Sequence, residues 1–448
     1  MRLKKFLISI LILLNIANSQ NLKIGGYIQT DDRIRWKDKK ISWEEYRLDL
    51  TGEVIFDNVK FYSELWFRNF GSNATNKLFD LMDKDKVEPL SVELREAYVD
   101  VKGFVFENVD LRIGRQRIAW GTADKLNPTD NLNPDDLEDI WDYGRHLGSN
   151  AVKLSIYAGN FAFSGVFIPT FTPAVLPRGD WLDIFADEFS LGTASNVPLS
   201  AISDRIFIKN PESTLKEASK FGLKVSKNVF GFDFSLSYVY GKDDIPILRK
   251  VIISDPSFMS LPDSIILTFP RMKIFGFDFA GDLGGVGVWG EAGVFFPEQV
   301  VFEYALNRLG NEMVIYSSNI LEKKNYTRFI FGMDYTFKNE MYLNLQYLHG
   351  FLHERGRGNL RNYFVFNFEK KFFDDKVKLN FLSGGIEFKR LKDIKENYAF
   401  IYNPQISYSP IDNFEFVLGG RLIDGKGKTM FGRIKDRDEV YLKVKYSF

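Results

Sequence analysis

Polar and apolar side chains alternate singly along most of the 448-residue chain, the period of a strand buried on one face. Tyr46, Leu48, Leu50, Val54 and Phe56 share one side of such a strand, and Glu45, Arg47, Asp49, Thr51 and Glu53 share the other. Phe329, Phe331, Met333, Tyr335 and Phe337 likewise oppose Arg328, Asp334, Thr336 and Lys338. Eight tight connections separate the strand-like segments in pairs, at 56–59, 106–109, 158–161, 227–230, 281–284, 338–341, 373–376 and 411–414. They are rich in Asn, Asp and Gly, which accept the positive φ of hairpin turns. Longer connections lie between the hairpins, at about 71–90, 121–149, 172–218, 241–270 and 297–325.

This rhythm predicts an all-β fold: an antiparallel transmembrane β-barrel with short periplasmic turns and long extracellular loops in a bacterial outer membrane. Two strands per hairpin, a first strand near Leu22–Arg35 and a last near 438–448 make about 18, an even number as bacterial barrels require. A soluble sandwich or propeller has many strands too, but does not confine its long loops to every second connection. Residues 1–19 carry Arg2, Lys4 and Lys5, an apolar run from Phe6 to Leu14 and then Ala17-Asn18-Ser19. That pattern reads as a secretory signal peptide cleaved after Ser19. The apolar run is too short for a spanning helix, and no later stretch reaches the ~20 apolar residues one needs. Residues 20–448 are then expected to form a single barrel, entered so directly by its first strand that no plug domain precedes it.

The last strand sets Val440, Leu442, Val444, Tyr446 and Phe448 on one face and Tyr441, Lys443, Lys445 and Ser447 on the other. A closing strand that ends in Phe resembles the signal by which outer-membrane barrels engage their assembly machinery. Trp36, Trp43, Trp66, Trp120, Trp141 and Trp289 fall near predicted strand ends, where an aromatic girdle is expected.

Composition narrows the chemistry. The 59 basic and 59 acidic residues balance, which argues against a nucleic-acid partner, since such a surface needs a basic excess. With no Cys there is no disulfide, thiolate metal site or cysteine nucleophile. Only His146, His349 and His353 are available for imidazole chemistry, so neither an enzyme nor a cofactor is expected. His349 and His353 lie about 13 Å apart on a strand, too far for one metal ion.

The stretch Leu111-Arg112-Ile113-Gly114-Arg115-Gln116-Arg117-Ile118-Ala119-Trp120-Gly121, followed by Asn127-Pro128-Thr129-Asp130-Asn131-Leu132, resembles a family of largely uncharacterised bacterial outer-membrane β-barrels. That family is similar in plan to alginate-export-type porins. A second likeness runs from Phe331-Gly332-Met333-Asp334-Tyr335 through Tyr342-Leu343-Asn344-Leu345-Gln346-Tyr347 to His349-Gly350. The resemblance implies a Gram-negative outer-membrane barrel and a transport role. No polyuronate-binding motif accompanies it, so alginate is not implied.

By parity Arg68, Arg95, Arg112, Arg328 and Arg361 face the lumen together with Glu64, Glu93 and Asp334. They read either as a charged pore lining that guides small polar or anionic solutes, or as cross-strand pairs that neutralise the wall. Interleaving of acids and bases favours pairing. Arg115 is a further pore-lining candidate although it has the parity of the lipid side, which places it at the outer rim, where the following loop can fold inward as a constriction, or calls for a bulge. The run from Asn127 to Asp139 offers Asn131, Asn133 and Asp135 as weak calcium ligands, without the glycine of the helix–loop–helix calcium pattern. The expected function is a porin-like channel passing polar solutes or exported polymer. The alternative is a barrel plugged by the 172–218 loop, with Asp180, Trp181, Asp183 and Asp187, that binds an extracellular partner.

Overall fold

The computed structural model of the protein describes residues 22–71, 75, 77–185, 199, 202–254, 261–308, 310–426 and 429–448. The expected signal peptide lies outside the described residues. The first strands are β1 (Leu22–Arg35), β2 (Ile41–Phe56), β3 (Val59–Phe70), β4 (Leu90–Val101), β5 (Val109–Gln116), β6 (Ser149–Ala158) and β7 (Phe161–Ile168). There follow β8 (Ile206–Lys209), β9 (Lys220–Val229), β10 (Phe232–Lys242), β11 (Ile247–Ile253), β12 (Ser264–Thr268), β13 (Arg271–Leu283), β14 (Val286–Pro297), β15 (Val300–Arg308) and β16 (Asn311–Leu321). The chain ends with β17 (Tyr326–Thr336), β18 (Met341–His349), β19 (Asn362–Phe372), β20 (Val377–Phe388), β21 (Tyr398–Tyr402), β22 (Gln405–Tyr408), β23 (Phe414–Gly425) and β24 (Glu439–Ser447).

All of these except β8, β11, β12, β15 and β16 belong to one antiparallel sheet, in which β21 and β22 are two halves of a single strand. The halves part at Asn403-Pro404, where proline supplies no ladder N–H. The sheet therefore has 18 strands. It closes because β1 pairs with β24 from Tyr27↔Ser447 to Arg35↔Glu439. Beyond that register the Gly26 and Phe448 backbones exchange hydrogen bonds of 3.1 and 3.0 Å. Among the described residues no helix is long and apolar enough to cross a membrane.

Both chain ends of the barrel and the two-residue turns of its wall lie at one end, and the short β1–β2 connection, 36–40, lies at the other. Two-residue turns at 57–58, 159–160, 230–231 and 284–285 use positive φ, as at Asp57 (49°) and Phe230 (53°). The β4–β5 connection is longer than the sequence suggested, occupying 102–108.

At the other end, the connections after β7, β10 and β14 are not simple loops. They contribute β8, β11, β12, β15 and β16 to a second sheet, ordered β16-β15-β11-β12-β8, with β11–β15 and β12–β8 parallel. Alternation does not reveal a strand such as β11, because Val251, Ile252 and Ile253 are all buried. A strand covered on both faces reads as a continuous apolar run.

These connections fold inward. Leu137, Ile140, Trp181 and Phe185 pack with the lumen-facing Ile330, Leu348, Tyr363 and Ile423 in one apolar cluster. The loop-side half of the lumen is thus filled with side chains, whereas Tyr62, Glu64, Arg112 and Asp334 nearer the short turns remain half-exposed. On the outer surface Ile28, Phe61, Leu94, Phe277 and Leu418 stand exposed, the apolar band that meets lipid. Of the tryptophans expected in the girdle only Trp36, just past the end of β1, is exposed. Trp43, Trp66, Trp120 and Trp289 are buried inside the barrel, and the exposed aromatics near the short turns are Phe and Tyr, such as Phe161, Phe230, Phe373 and Tyr446.

Gly26 holds φ +154°, and a Cβ there would lie 2.0 Å from the Asp49 carbonyl oxygen. Gly26→Val should therefore destabilise the closing seam by about 1–3 kcal/mol. A lower temperature for loss of the compact, heat-modifiable band on electrophoresis checks this; an unchanged temperature refutes it.

Candidate functional site

The candidate site is where the connection 117–148 meets the inner wall. A guanidinium taken out of water needs a partner, since an unpaired buried charge costs several kcal/mol. Arg33 on β1 is 1% exposed and grips two carboxylates. Its Nε and Nη2 donate to Asp31 at 2.9 and 2.6 Å, and Nη1 and Nη2 donate to Asp139 of the connection at 2.8 and 2.5 Å. Arg68 donates to Glu45 at 2.6 Å, to Glu93 at 2.7 Å and to Glu138 of the connection at 2.7 Å. Arg95 reaches Glu93 at 3.3 Å, Asp136 at 3.1 Å and the His146 carbonyl at 2.8 Å. The acids of 136–139 thus meet a wall of arginines.

Trp66 stands among these cations. Its Nε1 donates to Asp49 at 2.7 Å, and the guanidinium carbons of Arg47 and Arg95 lie 4.0 and 4.1 Å from its ring centre. Such contacts between a cation and an aromatic face explain why tryptophan is inside rather than at the lipid boundary.

The other expected residues separate into groups. Arg112 pairs with Asp100 at 2.7 Å and lies 4.2 Å from the Tyr98 ring centre. Glu64 accepts from Tyr62 at 3.4 Å, and Asp334 accepts from Tyr342 at 3.1 Å. Arg361 pairs with Glu387 at 2.9 Å. Arg328 donates to the Leu352 carbonyl at 2.6 Å and to Asn131 Oδ1 at 3.3 Å, with Phe295 3.9 Å beneath it. Arg115 does not line the lumen. It pairs with Ala97 and Asn150 on the parity of exposed Ile113, and its Nε donates to the Leu94 carbonyl at 2.6 Å. A bulge does occur beside it, but in β4, where the register against β3 shifts between Glu64 and Leu65.

The calcium expectation fails on donor chemistry. Asn131 Oδ1 is taken by Arg328, and Asn133 Oδ1 by the Ile118 N–H at 2.7 Å and by Arg117. Asp135 Oδ1 lies 3.4 Å from His146. Among the described residues no three acidic or imidazole groups are placed to hold a metal ion. Parity alone missed Arg33, whose inward register beside Asp31 was readable, and it missed the loop acids, whose partners are distant in sequence.

Charge states in the connection follow its partners. Burial by itself raises the Asp139 carboxyl, but Arg33 outweighs it and holds the group well below the usual range. Asp136 is likewise lowered, with Arg145 and Arg95 overcoming burial. Asp135 is pushed well above the usual range by burial and by Asp244. Burial lowers His146, and lowers His353 further with help from Arg355, so both imidazoles are neutral at pH 7.

A family model described as "Protein of unknown function (DUF1302)" matches residues 19–144. No curated protein matches the chain. Among solved structures, the Salmonella typhi OmpF complex with daunomycin is similar at 10% identity and a TM-score of 0.43, covering 96% of this chain and 98% of that one. A mutant porin of Rh. blastica is similar at 10% identity and a TM-score of 0.40, covering 95% and 100%. The barrel architecture rests on the strand pairing and not on these likenesses.

Because Asp139 is depressed in the folded protein, its contribution is present above the ordinary carboxylate value of about 3.9 and is lost as pH falls through the folded value. Asp139→Asn removes it at every pH and should cost about 3–5 kcal/mol, since Arg33 loses a buried partner. Hydrogen exchange of Leu137 to Ile140 should accelerate in the variant at pH 7, and in the parent only at strongly acid pH. Equal protection in both proteins at pH 7 would refute the lock.

Proposed function

We propose that the protein is an outer-membrane channel for small polar or anionic solutes, its bore set by the connections folded into the lumen. The observation that carries this reading is a closed wall of 18 strands whose inner face stays polar and half-exposed towards the short turns. Barrels of 16–18 strands are wide enough for an aqueous channel. Arg112 on β5 lies directly opposite Lys153 on β6, and Lys224 stands on β9, across β7 from Lys153; basic residues so placed favour anions. The filled loop-side half favours small solutes over an extended polymer. The kinship in plan with alginate-export-type porins therefore extends, in this reading, to the wall and not to the cargo.

The bilayer is the first partner, through the exposed apolar band. The second is the assembly machinery, addressed by β24 and the half-exposed Phe448. A second reading, a plugged barrel that binds an extracellular partner, is favoured by the apolar packing of Trp181, Ile184 and Phe185 from the connection after β7. Asp187 of that connection lies outside the described residues.

Purified protein in planar bilayers should give stepwise conductance, and Arg112→Gln should shift the permeability ratio towards cations. A folded, silent barrel would move the balance to the plugged reading; conductance with an unmoved ratio would remove Arg112 from the selectivity of the pore.

A further inference from the structure

A cavity of about 230 Å³ lies inside the barrel, between the wall strands β17 to β23 and the inward connections. Its wall side is apolar, formed by Ile330, Leu348, Val365 and Ile401, and Trp141 and Tyr143 of the connection 117–148 face them. An apolar protein cavity of roughly 150 Å³ is enough to hold benzene, so this one has room for a second ring.

Two features define what fits. First, the charges around it are already matched. Arg421 is paired with Glu439, and Glu387 is paired with Arg361 at 2.9 Å and accepts from the Met430 and Phe431 N–H groups at 2.9 and 3.0 Å. Asp124 and Lys125 at its edge are exposed and of opposite sign. An ionised ligand finds no spare buried countercharge there, and the exposed Lys125 at the edge is screened by solvent. Second, the Trp141 Nε1 and the Tyr143 hydroxyl oxygen are buried with no hydrogen-bond partner among the described residues. A buried polar group left unpaired is costly, and a ligand acceptor that reaches it recovers that cost.

We propose that this cavity binds a neutral, mainly apolar molecule of about two fused rings that carries a hydrogen-bond acceptor, held by the Tyr143 hydroxyl and the Trp141 indole. Binding stands on the cavity alone and is independent of the channel reading.

The test is calorimetric titration of the full protein in lipid nanodiscs with 2-acetylnaphthalene, naphthalene and 2-naphthoate. The ketone should bind saturably with one site. Naphthalene should bind about a hundredfold more weakly, for want of both hydrogen bonds, and 2-naphthoate should not bind. Val365→Trp fills the cavity and should abolish binding. Tyr143→Phe removes an oxygen that makes no bond within the described protein, so it should fold as the parent does and weaken the ketone about tenfold while leaving naphthalene unchanged. It decides the matter should Val365→Trp not assemble. The proposal is overturned if Val365→Trp folds and gives the parent's heats, which would mean bilayer partition only. It is overturned equally if Tyr143→Phe binds the ketone as the parent does, or if the carboxylate binds most tightly. Loss of binding with conductance intact strikes this proposal alone; binding without conductance strikes only the channel reading.

Discussion

The structure depends on keeping guanidinium groups neutralised inside a closed wall. Arg33, Arg47, Arg68 and Arg95 are each less than a tenth exposed, and water cannot solvate them there. Strand neighbours supply part of the answer through Asp31, Glu45 and Glu93. The rest must come from outside the wall, and it comes from Asp136, Glu138 and Asp139. Three acids within four residues, facing three arginines on β1, β3 and β4, leave the connection one position. Its apolar residues Leu137 and Ile140 then follow it inward and provide the surface on which Trp181 and Phe185 settle.

Much of this was legible from the residues, and what was not has identifiable causes. Period-two alternation located the lipid face of β2, β17 and β24, and turn chemistry located the hairpins at the end that carries the chain termini, because both signals are local. The balance of acids and bases foretold paired rather than free charges, as at Arg112 with Asp100. Partners brought together across a hundred residues, such as Arg33 and Asp139, leave no mark in spacing. For the same reason Asn131, Asn133 and Asp135 looked like calcium ligands when their oxygens face protein partners. The buried tryptophans were misplaced because strand ends are also where arginines cluster, and Trp66 takes the cations rather than the lipid boundary. Strands β11 and β15 escaped notice because their pairing is parallel and lies within long connections.

The lumen is accordingly graded. Near the loops it has the packing of a soluble core, with most buried charges paired; near the short turns it has half-exposed Glu64, Arg112 and Asp334, of which Arg112 keeps a partner in Asp100. Solvent screens charges where water reaches them, so the pairs on the loop side matter most to the fold.

The connections are held by two kinds of contact, and the kinds differ in what can loosen them. On the β1–β4 side the attachment is ionic, and protonating the acids of 136–139 weakens it. On the β17–β20 side it is largely to backbone: Arg328 donates to the Phe351 and Leu352 carbonyls, and Glu354 accepts from the Phe351 and Arg361 N–H groups. Carbonyls do not titrate, so the Arg328 contacts persist as pH changes, whereas Glu354 titrates and Arg355 of the same connection is ion-paired to Asp243. The connection 117–148 spans from one side to the other, with Asp139 in the ionic lock and Asn131 bonded to Arg328. Trp141 and Tyr143 sit just beyond Asp139, so the inner face they present is set by the ionic attachment rather than by the barrel wall.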